Sequence, residues 1–196
     1  MADPADLRSR LRAAVDALPA GLRDHVLRVE VEAERLAHIH AVDVEQAKLA
    51  ALGHDLVRHL PGADLLVVAE RYGLAPDTVE RQSPILVHGP VAARILARDY
   101  AVADADLLAA VDCHTTGRAA MSRLEKVLLV ADKIEPEKLE RYPEWQEVHA
   151  LSRSDLDAAL LRHLDLYLEQ ATERRWLLHH RVVEARNDLL GLDRGA

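Results

Sequence analysis

Apolar residues recur at three-to-four spacing along the whole chain and few runs alternate apolar with polar, so the pattern predicts amphipathic helices rather than strands. Asp3-Pro4 caps a first helix with Leu7, Leu11, Val15 and Leu18 on one face. After Gly21 a longer helix presents Leu22, His25, Val26, Val29 and Leu36. Asp43 with Gln46 reads as a capping box, opening a helix that delivers His54 and Asp55 at its end. The next helix stops at Tyr72-Gly73, where glycine supplies the left-handed cap. Ser83-Pro84 and Gly89-Pro90 frame a short turn holding His88, ahead of a helix running towards Tyr100. Asp104 starts another helix, which ends at Cys113-His114 before a turn at Thr115-Thr116-Gly117. Ser122 and Glu125 form a further capping box, over a helix with Leu124, Val127, Leu128 and Asp132 on its inner stripe. Pro136 and Pro143 mark a connector, and Ser154 caps a long C-terminal helix reaching about Leu190. With no repeat, low-complexity tract or linker in view, the expectation is an all-α bundle, one domain over residues 1–196.

Composition refines this picture. The chain is 49% apolar and 30% charged, ordinary for a soluble domain, and its lack of Phe leaves a core of Leu, Val and Ala. No apolar run approaches the ~20 residues of a membrane span. The start, Met1-Ala2-Asp3-Pro4, carries charge through its first turns, unlike a secretory leader. A cytoplasmic protein without a membrane partner is expected. The net charge of −8 argues against nucleic acid as a partner, because such binders present broad basic surfaces. A small anionic ligand remains open, since a local group of metal, Arg and Lys overrides the global sign. Cys113 is the single cysteine, which excludes an intrachain disulfide and a thiolate-built zinc site and suits a reducing compartment.

Eleven histidines direct attention to imidazole chemistry. His54-Asp55, at a helix end where the backbone turns, can converge on one ion, and imidazole with carboxylate suits Zn, Fe, Mn or a similar divalent metal. His25 lies on an apolar stripe, where a lone histidine is more often a satisfied core residue than a ligand, and the same discount applies to His88, His114 and Asp132 taken singly. Asp132 sits on the inner stripe of its helix, and an unpaired carboxylate there is costly, so something cationic should meet it. Cys113 beside His114 suggests a thiolate–imidazole pair, but adjacent side chains point differently and a small buried Cys is the simpler role. Arg174, Arg175, Trp176, His179, His180 and Arg181 concentrate positive charge; a solvated helix face with Trp176 packed on the body is the plainer reading, a nucleotide contact the sharper one. His38, His40, His149 and His163 read as surface or structural residues.

The order His25, His54-Asp55, His88, His114, Asp132 is the ligand order of the HD superfamily. The stretches His114-Thr115-Thr116-Gly117-Arg118, Met121-Ser122, Leu124-Glu125-Lys126 and Ala131-Asp132-Lys133-Ile134-Glu135-Pro136 closely resemble the YqeK family of bacterial HD-domain hydrolases, which split diadenosine tetraphosphate symmetrically. The resemblance runs from about Arg23 to the closing helix at Glu184-Ala185-Arg186-Asn187. It implies an HD-domain helical bundle with His25, His54, Asp55 and Asp132 as metal ligands, and His88 and His114 either on a second ion or on phosphate. His54, Asp55 and Arg58 are the implied catalytic residues. Arg58, His88, His114, Thr115, Lys133, Lys138 and His180 are the implied substrate contacts, with Lys133 as readily a surface residue beside a ligand. The cofactor expected is one divalent ion or two, iron first, with Mn, Co, Zn or Ni as the other candidates. The family usually carries Lys at the position of Arg58 and Arg at that of Lys138; both exchanges keep the charge but trade a planar fork for a point charge or the reverse. The implied reaction is attack by a metal-bound hydroxide, giving two ADP from the dinucleoside polyphosphate. The rival readings are an HD hydrolase of nucleoside monophosphates or guanosine polyphosphates, which the HTTG text opposes, and a nucleotide-sensing module without turnover, which the complete ligand set opposes. A homodimer is the one protein assembly this reading leaves open.

Overall fold

The computed structural model describes residues 4–191, so the cap expected from Asp3 lies outside the described residues. Helix α1 (Pro4–Asp16) buries Leu7, Leu11 and Val15 as its periodicity requires. Helix α2 (Ala20–Ile39) starts directly after Pro19. Helix α3 (Val44–Gly53) is capped by Asp43, whose side chain accepts from Gln46 N at 2.8 Å. The return half of the expected capping box is missing, because the Gln46 amide donates instead to Asp104, at 2.7 Å. Helix α4 (Gly62–Arg71) stops at Tyr72, and Gly73 takes φ 75°. Helix α5 (Thr78–Gln82) opens on a reciprocal capping box between Asp77 and Glu80.

A 3-10 turn over Pro84–Val87 leads into α6 (His88–Asp99). His88 is therefore the first residue of the helix and not part of a turn before it. Pro90 falls in the opening turn of that helix, where a missing N–H costs nothing. Helix α7 (Ala105–Cys113) is capped by Asp104 and α8 (Arg123–Ile134) by the expected Ser122–Glu125 box. The expected connector is itself helical: α9 (Pro136–Arg141), a 3-10 turn at Pro143–Trp145, and α10 (Gln146–Leu151). Helix α11 (Leu156–Arg174) is capped by Asp155, one residue later than expected, through a bond of 2.9 Å from Ala158 N. The stretch expected to run unbroken to Leu190 divides here. Arg175 adopts left-handed φ 55°, and Trp176 N closes on Ala171 O at 2.9 Å, the Schellman arrangement that ends helices without requiring glycine. Helix α12 (His180–Leu189) follows after His179 as its N-cap.

Helix α8 occupies the middle, packed against α2, α7, α3, α10 and α11. Leu124, Val127, Leu128, Leu129, Val130 and Ala131 are all buried, so its apolar residues run around the whole circumference, as in a helix with neighbours on every side. Each fully buried Leu or Val there contributes about 1.5–3 kcal/mol. Pairing of α6 with α7 and of α2 with α3 then sets helix ends around one flank of α8. Among the described residues there is no strand, and no helix is long and apolar enough to cross a membrane.

Candidate metal centre

Five helices converge on one buried group. His25 lies within α2 and Asp132 within α8, on faces that meet; His54 is the C-cap of α3 and Asp55 follows it; His88 begins α6; His114 caps the end of α7. All six side chains are buried. The approach of α6 to α7 depends on Gly89. A Cβ there would lie 2.9 Å from the carbonyl oxygens of Asp112 and Val111 and 3.1 Å from His114 Nδ1, so only glycine lets His88 and His114 come together. After His114 the chain turns at Gly117, φ 66°, pressed under Ala185.

The potential ligand atoms fall into two sets that share one carboxylate. Oδ2 of Asp55 lies 3.5 Å from His25 Nε2 and 3.3 Å from His54 Nε2. Asp132 Oδ1 closes that set, 3.1 Å from His25 Nε2 and 3.9 Å from His54 Nε2. The other Asp55 oxygen, Oδ1, lies 3.0 Å from His88 Nε2 and 3.6 Å from His114 Nε2. Two donors each ~2.1 Å from one ion at tetrahedral or octahedral angles stand about 3.0–3.5 Å apart, which these separations bracket.

The outer ring nitrogens fix the tautomers. Nδ1 of His54 faces the carbonyl of Ala51 at 2.6 Å, that of His114 faces Val111 O at 2.8 Å, and that of His88 faces Ile85 O. Nδ1 of His25 faces Glu135 Oε1 at 3.3 Å. A carbonyl or carboxylate only accepts, so each Nδ1 carries the ring proton and each Nε2 turns a bare lone pair inward. His88 Nε2 and His114 Nε2 stand 2.9 Å apart, a repulsive contact for two lone pairs unless a cation meets both. Nε2 of His25, Nε2 of His54 and Oδ1 of Asp55 are buried without a hydrogen-bond partner, the pattern expected of metal donors. The chemistry of this donor set fits a divalent ion.

Burial by itself would raise the Asp55 carboxyl, but the surrounding imidazoles of His54, His114 and His88 hold it well below the usual range. Burial likewise opposes ionisation of Asp132, and Lys133, Lys138 and His25 outweigh it. Both carboxylates are therefore ionised. Burial drives His114 down to about 4, with Asp55 opposing and His88 and His54 adding to the shift, so its ring is neutral at physiological pH. Burial also pushes the Cys113 thiol far up, which leaves it an inert core residue, in keeping with the sequence reading.

Most of the residues singled out from sequence gather here. Arg58 Nη1 lies 3.4 Å from Asp55 Oδ2, and Lys138 Nζ lies 2.6 Å from Asp132 Oδ1. Lys133 Nζ approaches Asp132 Oδ2 at 2.5 Å, and these two lysines are the cations that the buried carboxylate demanded. Thr115 Oγ1 is 3.4 Å from His88 Nε2 and 3.3 Å from His114 Nε2. No hydrogen bond or ion pair joins His180 to this group among the described residues; its ring lies 3.6 Å from Asp77 Oδ2. Trp176 is 46% exposed, its ring 6.3 Å from that of Tyr167 on α11 and under the Arg174 guanidinium.

Two buried residues beside the centre escaped the sequence reading. Glu135 holds His25 Nδ1 with one oxygen and accepts from Arg28 Nε at 2.5 Å with the other; although burial raises its pKa, these bonds bring it down to about 2. The inward Asp132 three residues earlier was the available signal. His163, on α11, lies edge-on to Trp145 at 5.5 Å, with Nδ1 buried and unpartnered. Its place on the apolar stripe with Leu156, Leu160 and Leu164 marked it as buried. Burial, with Lys133 and Lys138 adding, pushes His163 down from 6.5 to about 3. Between those values the unfolded chain binds a proton there that the fold does not, so stability falls by about 1.4 kcal/mol per pH unit as pH drops below 6.5. His163→Gln should flatten the fall in unfolding midpoint between pH 6.5 and 5 relative to the unmodified protein; parallel curves would place its proton uptake equally in both states.

Comparison with known proteins agrees with this geometry. The HD domain profile matches residues 22–137. A protein of Staphylococcus aureus named bis(5'-nucleosyl)-tetraphosphatase, symmetrical, is 37% identical over 125 residues, 64% of each chain. One of the same name from Bacillus subtilis is 34% identical over 140 residues, 71% of this chain and 74% of that one. The alignment thus spans a little under two thirds of the first relative and about three quarters of the second. A crystal structure from Clostridium acetobutylicum, described as a predicted HD superfamily hydrolase involved in NAD metabolism, superposes with TM-score 0.89 at 30% identity, covering 95% of this chain and 98% of that one.

Proposed function

Because the chain belongs to the HD-domain family, and within it to the relatives of the symmetrical bis(5'-nucleosyl)-tetraphosphatases, we propose that it hydrolyses diadenosine tetraphosphate and its analogues to two nucleoside diphosphates. The observation that carries the reading is the Asp55 carboxylate, buried with one oxygen towards His25 and His54 and the other towards His88 and His114.

In this reading His25, His54, Asp55 and Asp132 hold one divalent ion, and Asp55, His88 and His114 hold a second. Iron is the ion we assign, since a mixed imidazole–carboxylate set without thiolate suits it; Mn, Co, Zn and Ni are the alternatives that metal analysis separates. Such ions lower the pKa of a coordinated water towards ~7 and balance charge on phosphoryl oxygens. The rest falls to the chain's own residues. Carbonyls of Ala51, Ile85 and Val111, with Glu135, keep the four imidazoles from rotating. Arg58, Lys133 and Lys138 bring three cations to the rim of the two carboxylates, placed to meet a polyphosphate that the net charge of −8 would otherwise repel. Thr115, beside His88 and His114, offers a hydroxyl to a phosphate oxygen.

Symmetrical cleavage breaks the P–O bond at the central bridging oxygen. The oxygen from water ends on the terminal phosphate of one diphosphate, and the bridging oxygen leaves with the other. Chromatography of metal-loaded enzyme with diadenosine tetraphosphate in ¹⁸O-water should show ADP alone, with label on half of the molecules. ATP with AMP would replace the symmetrical assignment by an asymmetrical one, and release of inorganic phosphate would indicate a monophosphatase.

A further inference from the structure

A second group of histidines and carboxylates stands apart from the centre just described. Asp77 and Glu80 open α5, and His179 and His180 open α12, more than ninety-five residues later in the chain. No hydrogen bond or ion pair joins these four to the central six among the described residues. We propose that Asp77, Glu80, His179 and His180 form a structural site for a divalent transition ion of the zinc class, tying the start of α12 to α5.

The argument begins with the capping box. It uses one oxygen of each carboxylate: Asp77 Oδ1 accepts from Glu80 N at 2.9 Å and Glu80 Oε2 accepts from Asp77 N at 2.7 Å. The reciprocal bonds hold both side chains rigid and leave Asp77 Oδ2 and Glu80 Oε1 free. Both free oxygens are aimed at His179 Nε2, at 3.7 and 3.6 Å, and Asp77 Oδ2 also lies 3.6 Å from His180 Nδ1. These separations are too long for hydrogen bonds. They match the spacing of two donors that each stand ~2.2 Å from one tetrahedral ion, and donor atoms of Asp77, His179 and His180 all lie within 4.8 Å of one another. His179 is only 3% exposed and its Nε2 makes no hydrogen bond among the described residues, while His180 is exposed and leaves the site open to entry of an ion.

A proton competes for the same place. His179 Nδ1 receives a long bond, 3.3 Å, from Arg181 N, which favours the tautomer with the proton on Nε2 between the carboxylates. Ion binding at Nε2 moves the ring proton to Nδ1 and releases that bond. The exchange replaces one stretched bond and three contacts beyond bonding distance by coordinate bonds to the ion. The segment gains most from such a tie. Residues 175–178, between the left-handed Arg175 and His179, expose Trp176, Leu177 and Leu178, and in those residues no helix fastens the chain.

The test counts ions. Protein whose central site is already loaded is equilibrated with Zn²⁺, freed of excess by gel filtration and analysed for metal. The unmodified protein should carry one more zinc per chain than Asp77→Asn, which keeps the capping acceptor but lacks the ligating oxygen, and one more than His180→Ala. Its unfolding midpoint should rise on zinc addition while those of both variants stay fixed. Equal zinc content in the unmodified protein and both variants would overturn the proposal. Because central occupancy is read from the same analysis, failure of this site and failure of the central one are distinguishable.

Discussion

Asp55→Ala should bring turnover of diadenosine tetraphosphate to background and strip the protein of bound metal. Asp55 is the one side chain that serves both sets of donors, Oδ2 with His25 and His54 and Oδ1 with His88 and His114. Removing it leaves four imidazole lone pairs without the anion that balances an ion between them. Losing a residue that merely braces a ligand costs roughly 10–100-fold in affinity or activity, and loss of the shared carboxylate exceeds that. Burial opposes ionisation of Asp55, yet the surrounding histidines hold it charged in the metal-free fold, so Asp55→Ala should also lower the unfolding midpoint of the metal-free protein. Metal analysis, turnover and thermal unfolding separate these effects. Retention of the full metal complement by the variant would remove Asp55 from the ligand set.

Gly89→Ala should act on the other half of the centre. The added methyl meets two backbone carbonyl oxygens at 2.9 Å, and backbone yields less readily than a side chain. Helix α6 must move away from α7, at a cost of about 1–3 kcal/mol for overpacking. Alanine's helix preference over glycine offsets up to about 1 kcal/mol of this. The movement widens the 2.9 Å between His88 Nε2 and His114 Nε2, so the ion assigned to Asp55, His88 and His114 is lost while that of His25, His54, Asp55 and Asp132 remains. The expected result is a lowered unfolding midpoint, one ion fewer per chain and a large fall in activity. An unchanged midpoint with unchanged metal content would show that the close approach of the two helices is dispensable.

Legibility from sequence followed the range of the interaction. Caps and breakers act within one turn, so Asp43, Asp104, Ser122 with Glu125, and Gly73 marked helix ends within a residue or two. Those ends matter chemically, because His54, His88 and His114 sit at helix termini. Inward residues such as His25 and Asp132 could be read from the apolar stripes beside them, together with the demand that something cationic meet Asp132. The same short-range logic failed where a nonlocal partner decided the outcome. Gln46 gave up its expected capping bond for Asp104, 58 positions away. The break after Arg174 carries no glycine or proline, and the left-handed Arg175 there is held by bonds from Arg175 and Trp176 back to the last turn of α11.

By itself the sequence determined that the chain is helical throughout, that its core is Leu, Val and Ala, and that the donors are imidazole and carboxylate rather than thiolate, because periodicity, caps and residue chemistry are properties of short stretches. Tertiary structure decided which of these side chains come together. It turned the two oxygens of Asp55 to different histidine pairs, set Glu135 behind His25, and buried His163 beside the lysines of Asp132. It also set His180 beside Asp77. Each of these depends on distances between residues far apart in the chain, and packing around α8 fixes such distances; spacing along the sequence does not.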